Sequence, residues 1–189
     1  MAEMELLDRE CITNLPTSFR VIGIGEATKV IIETVKSYGY ECVSATVLTE
    51  PFECVPSDED KMVIIVAKDN EDHANSIAKT FHEAGVLTIG LLDNADLECY
   101  DGVVVETSCT EYPDLIKALL QPIATQGMIA YDFNDLQTTL ADAKHFFIKS
   151  ATGHGNERVA ESIGFIKSTL TSSLLNKIER LSIFLYFNK

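Results

Sequence analysis

From residue 19 onward, short β-rich runs alternate with longer stretches whose apolar residues recur at helical spacing. Residues 19–25 (FRVIGIG) read as a strand ending in glycine. Residues 27–38 follow as a helix with Val30, Ile31, Thr34, Val35 and Tyr38 on one stripe, closed by Gly39. A second strand is predicted over 42–48 and a third over 62–67, separated by a polar, acidic loop over 51–60. The third run, Met-Val-Ile-Ile-Val-Ala, is apolar at every position, as befits a parallel strand covered on both faces. Residues 71–84 place Ala74, Ile77, Ala78, Phe81 and Ala84 on one helical face, with Asn70 as cap and Gly85 as stop. Strands over 86–92 and 102–106 and a helix over 114–125, behind Pro113, complete the alternation. The expected fold is α/β, a Rossmann-like, doubly wound, mostly parallel sheet that binds ligands at the carboxyl ends of its strands.

Beyond Gly127 the pattern changes. A helix over 133–140, a strand over 145–149 and a helix over 158–170 suggest that a truncated α+β second layer begins near residue 140. A short helical stretch over 172–180 and a β-prone run over 183–187 follow. Left unpaired, that last run would be an aggregation edge, so it is expected to pair within the chain or with another copy. The predicted organisation is an N-terminal extension (1–17), an α/β domain with a central helix (18–126), and a loop with a partial second domain (127–189).

Composition narrows the function. The chain has 189 residues, of which 46% are hydrophobic, enough for a sizeable core. Its net charge of −14 opposes binding to a phosphate backbone, and no basic patch offsets it, so nucleic acid is excluded as an expected partner. No apolar run approaches the roughly 18 residues of a membrane helix, and the acidic start lacks the features of a signal peptide. A cytoplasmic location without direct membrane contact is therefore expected. Five cysteines, odd in number and without a C-x-x-C pair, read as reduced thiols. His73 and His82, like His145 and His154, are nine apart, which is not the spacing of a zinc helix, and no metal site is predicted. No nucleophile motif is present.

Two stretches resemble the bacterial tubulin-like division protein FtsZ. The segment from Gly127 through Asp132, Phe133, Asn134 and Asp135 to Leu136 is similar to that family's synergy loop, N-x-D-F-A-D-V, at the end of its central helix. The likeness continues through Gly155, Arg158 and Ala160 to Ser168, similar to the family's G-x-x-R-A-x-x-A segment. The order of β–α units from Val21 onward is similar too, and the resemblance spans about residues 18–170. It implies a GTP- or GDP-binding fold, GTP hydrolysis on self-assembly, and a protein partner, either another copy or a true FtsZ. By resemblance, Asp132 and Asp135 would polarise water on a neighbouring subunit's nucleotide, and Asp114 would contact the base. Gly23, Gly25, Glu26 and Thr28 stand where the family has its first glycine run.

One departure bears on mechanism. The family's G-G-G-T-G-T-G cradle is replaced by Lys68-Asp-Asn-Glu-Asp-His-Ala-Asn75, with no glycine. Phosphate binding uses exposed backbone N–H groups at a positive helix end, and Asp69, Asn70, Glu71 and Asp72 there would repel a triphosphate. The same four residues are also a normal capping pattern. Asp114 equally suits a first helical turn, and Asp132 with Asp135 equally suits a helix cap. Gly23 and Gly25 equally serve a tight strand-to-helix turn, since Thr28 occupies the third position of G-x-G-x-x-G. The expected function is that of a degenerate FtsZ-like binding or regulatory subunit that does not hydrolyse GTP. The alternatives are a weak, assembly-dependent GTPase and an unrelated small-ligand domain.

Overall fold

The apolar run at 62–67 is the strand around which the sheet is built, and each of its residues is at most 2% exposed. A computed structural model describes residues 18–49, 54–105, 108–125, 131–140, 143–170 and 178. In chain order the elements are β1 (Phe19–Ile24), α1 (Lys29–Ser37), β2 (Val43–Leu48), β3 (Met62–Ala67), α2 (Glu71–Glu83) and β4 (Leu87–Leu91). They continue with β5 (Gly102–Val104), α3 (Tyr112–Ala124), α4 (Phe133–Leu140), β6 (Lys144–Phe146) and α5 (Arg158–Thr169). The sheet order is β2-β1-β3-β4-β5-β6, and every adjacent pair is parallel.

Alternation along the strands divides the core in two. Val21, Ile64 and Ile89 face α1, α3 and α4. Ile22, Ile65 and Val103 face α2 and the β4–β5 connection. Helix α1 buries Ile31, Ile32 and Val35, so its inward face is rotated from the expected stripe and leaves Val30 73% exposed. Helix α2 buries Ala74, Ile77, Ala78 and Phe81 of its expected stripe, with Ala84 exposed just past its end. The chain turns to one face after β1 and to the other after β3, which makes β1/β3 the switch point of a doubly wound sheet. The carboxyl ends lie level there, with Ile24 in register with both Leu48 and Ala67.

Two expectations need correction. The helix expected over 27–38 is split, with a 3₁₀ turn at Glu26–Thr28 before α1 starts at Lys29. The strand expected near 145 does not open a separate layer. It is β6, which pairs with β5 and extends the same sheet, anchored where Lys144 Nζ donates to the carbonyls of Leu97 and Tyr100 at 3.2 and 3.0 Å. Periodicity cannot assign so short a strand, because three residues carry no alternation to read. Its crossover is also unusual. Helices α3 and α4 cover the face that α1 covers while the chain steps the other way along the sheet, so this connection has the opposite hand to β1-α1-β2 and β3-α2-β4. The stretches predicted over 172–180 and 183–187 lie outside the described residues, apart from Ile178.

The long return from β2 to β3 is held by one charged cluster. Arg20 points from β1 to the α2 face, where its Nε donates to Asp60 Oδ1 at 2.7 Å and its guanidinium lies 5.8 Å from the Phe81 ring centre. Asp60 Oδ2 accepts the Ser57 N–H at 2.7 Å, and Arg20 Nη1 donates to the Val55 carbonyl at 3.3 Å. The Asp60 side chain is 1% exposed. A buried carboxylate stripped of its cation is costly, so Arg20→Ala is expected to lower the unfolding free energy by about 3 kcal/mol, measured by urea denaturation. An unchanged midpoint would show that the pair contributes little.

Candidate functional site

At the switch point lies a cleft of about 480 Å³, lined by Ile24, Gly25, Leu48, Thr49 and the first turn of α2 from Asn70 to His73. Sequence forms it directly. Gly25 adopts φ +82°, which lets the chain leave β1 sharply. Asn70 adopts a left-handed conformation (φ 59°) and turns β3 into α2 without capping it through its side chain.

Of the two acids in that first turn, Glu71 lines the cleft but is held by Asn94. Its Oε2 accepts Asn94 Nδ2 at 2.6 Å and its Oε1 accepts the Asn94 N–H at 3.3 Å. Asn75 completes the tie, donating to the Asn94 carbonyl at 3.3 Å and accepting the Asp96 N–H at 3.1 Å. Asp72 is exposed beside the cleft, and the helix dipole's positive end thus already has carboxylates against it.

The residues singled out from sequence do not converge. Gly25 lines the cleft. Gly23 is a packing position, since a Cβ there would collide with Thr28 and lie 2.7 Å from Ile32 Cγ1. Thr28 is fully buried, and its hydroxyl donates to the Gly25 carbonyl at 2.8 Å, bracing the turn from below. Glu26 is exposed on the 3₁₀ turn. Asp114 is exposed in the first turn of α3, near Tyr38, whose hydroxyl donates to the Pro113 carbonyl at 3.1 Å. Burial first, and the Asp114 charge second, push the Tyr38 pKa up. His73, Leu48 and Thr49 line the cleft without having been singled out. Their signal was position alone, at the end of one predicted strand and the start of the helix after another.

Asp132 and Asp135 stand at the other end of the molecule. Phe133 packs its ring 5.7 Å from that of Phe19, the first residue of β1. The strand between Phe19 and the cleft is roughly 17 Å long. The two aspartates cap α4 reciprocally, with the Asp132 N–H donating to Asp135 Oδ2 at 3.1 Å and the Asp135 N–H to Asp132 Oδ1 at 3.0 Å. Both are exposed.

A second hollow, about 280 Å³, opens at the ends of β4 and β5 beside Asp93, Leu97, Tyr112 and His145. Burial and the Asp93 carboxylate push the Tyr112 hydroxyl up to about 12. Among the described residues no group of three or more His, Cys, Asp or Glu could hold a metal ion. No helix among them is long and apolar enough to cross a membrane.

Neither a protein-family model nor a curated protein matches this chain. Solved structures do. An empty FtsZ dimer from M. jannaschii is similar with a TM-score of 0.60 and 14% identity, covering 81% of this chain and 68% of that one. A point mutant of FtsZ from the same organism gives a TM-score of 0.62 at 16% identity, covering 85% of this chain and 72% of that one. The chain therefore has the fold of FtsZ.

Two outcomes follow. Asp135→Ala removes half of the reciprocal cap and is expected to cost about 1 kcal/mol of stability in urea denaturation. Tyr112 and Tyr100 both have raised pKa values in the folded chain, and burial is the main cause for each. Their neutral forms are favoured by folding, so this contribution is intact below about pH 10 and is lost as pH rises toward 12 and beyond. The urea midpoint should fall over that range, and Tyr112→Phe should flatten the fall.

Proposed function

We propose that this chain is an FtsZ-fold binding or regulatory subunit of filament assembly that does not hydrolyse GTP. The observation that carries the proposal is the first turn of α2. Where a phosphate would meet the helix, Asp69, Asn70, Glu71 and Asp72 stand without a glycine, and Asp72 borders the cleft. Backbone N–H groups at a helix start attract phosphate when glycines permit close approach and the local charge is positive, and both conditions fail here. Thr28 and Gly23 supply no compensation, because one is sealed beneath the turn and the other packs against it.

Asp132 and Asp135 lie at the opposite end of β1 from the cleft, exposed on the helix that they cap. That separation supports a division of labour in which the start of α4, with Asp132 and Asp135, docks on the nucleotide face of a true FtsZ. The cleft at the carboxyl ends of its own strands then offers no nucleotide to a next subunit. Such a subunit would cap a filament end.

Calorimetry with stripped protein, magnesium and GTP or GDP should give no binding heat up to about 1 mM nucleotide. Micromolar binding would overturn the proposal in favour of a weak GTPase that hydrolyses nucleotide on assembly, with Gly25 as its contact in the cleft. Light scattering of FtsZ filaments should fall when this protein is added at equimolar ratio. Asp132→Asn should weaken the effect, and no change with the unmodified protein would refute the capping role.

A further inference from the structure

We infer that β2 is a docking edge and that its occupant is β2 of a second copy, paired antiparallel about a two-fold axis so that the two sheets join. This interface lies at the side of the sheet and does not depend on nucleotide or on the filament reading.

Among the described residues β2 is outermost in the sheet, and β1 is the only strand that it pairs with. Sheets guard such edges with charged residues, proline, bulges or very short strands. Strand β2 has none of these guards. Its six residues run in unbroken register with β1, and Val-Ser-Ala-Thr-Val-Leu contains neither a charge nor a proline. The opposite edge is guarded, since β6 has three residues and opens on Lys144.

The pattern of β2 selects a second copy as occupant. Val43, Ala45 and Val47 lie on the α1 face and are only partly buried against that core. Ser44 and the exposed Thr46 lie on the other face. An antiparallel copy in a register that opposes residues of like parity sets small apolar side chains beside small apolar side chains, and hydroxyls beside hydroxyls. Charge points the same way. Two chains of net charge −14 repel wherever carboxylates meet, and along these six residues none do. Leu48 and Thr49, at the end of this edge, also line the cleft, so the joined strands would border it.

Sedimentation equilibrium of the full chain from about 1 to 100 µM should show a monomer passing to a dimer. In the registers that preserve both faces, Thr46 stands opposite or diagonal to its counterpart. Thr46→Lys should therefore raise the dissociation constant at least about tenfold while leaving thermal unfolding of the monomer unchanged. A chain that stays monomeric throughout overturns the inference, as does a dimer that Thr46→Lys leaves intact. If dimers form only when Phe184→Asp is introduced, the chain's own 183–187 run occupies the edge in the unmodified protein, and the inference is overturned.

Discussion

A strand that is apolar at every position has to be covered twice, and most of this molecule follows from that demand on β3. Its six residues bury one set of side chains against the α1 layer and the other against α2. Covering both faces requires the chain to reverse direction across the sheet, and the reversal falls between β1 and β3. The strands end level there, the connecting turns part to opposite faces, and a cleft opens between them. The position of the cleft is thus a consequence of core packing, whatever binds in it.

Electrostatics then decides what the cleft tolerates. A helix start is ordinarily welcoming to anions, yet α2 has Asp69, Glu71 and Asp72 at or beside its first turn. Glu71 is occupied by Asn94, which ties α2 to the segment after β4 and leaves that carboxylate structural. Asp72 is left beside the cleft. The similarity to FtsZ structures concerns the backbone, and a shared backbone does not by itself carry a function.

Most of the sheet and its helices were legible in the amino-acid pattern because each long element carries its own periodicity. Strand β3 matched its predicted span, and α2 ended one residue before the predicted 84. Strand β6 was placed near 145, but its partner was not legible, since pairing with β5 depends on how α3 and α4 fold back. The candidate site was legible in part. Glycine at 25 marked a turn that does line the cleft, whereas Thr28, which stands by resemblance at the family's first glycine run, is buried under that same turn. Sequence cannot say whether a polar residue in a tight turn points outward or closes the turn on itself. Asp132 and Asp135 were open to both a capping and a chemical role, and the structure shows the cap.

The Arg20–Asp60 pair also bears on how the chain assembles during synthesis. Strands β1 and β2 emerge before β3, so the side of β1 that will receive β3 is bare while the intervening residues are made. Until Asp60 is in place, Arg20 is an unneutralised cation beside Ile22 and Ile24 on the α2 face, and burying that face leaves its charge uncompensated. The segment that leads into β3 brings its own neutralising group, Asp60, two residues ahead of Met62. The strand that pairs with β1 thus comes with the counter-charge that Arg20 needs to be covered by α2.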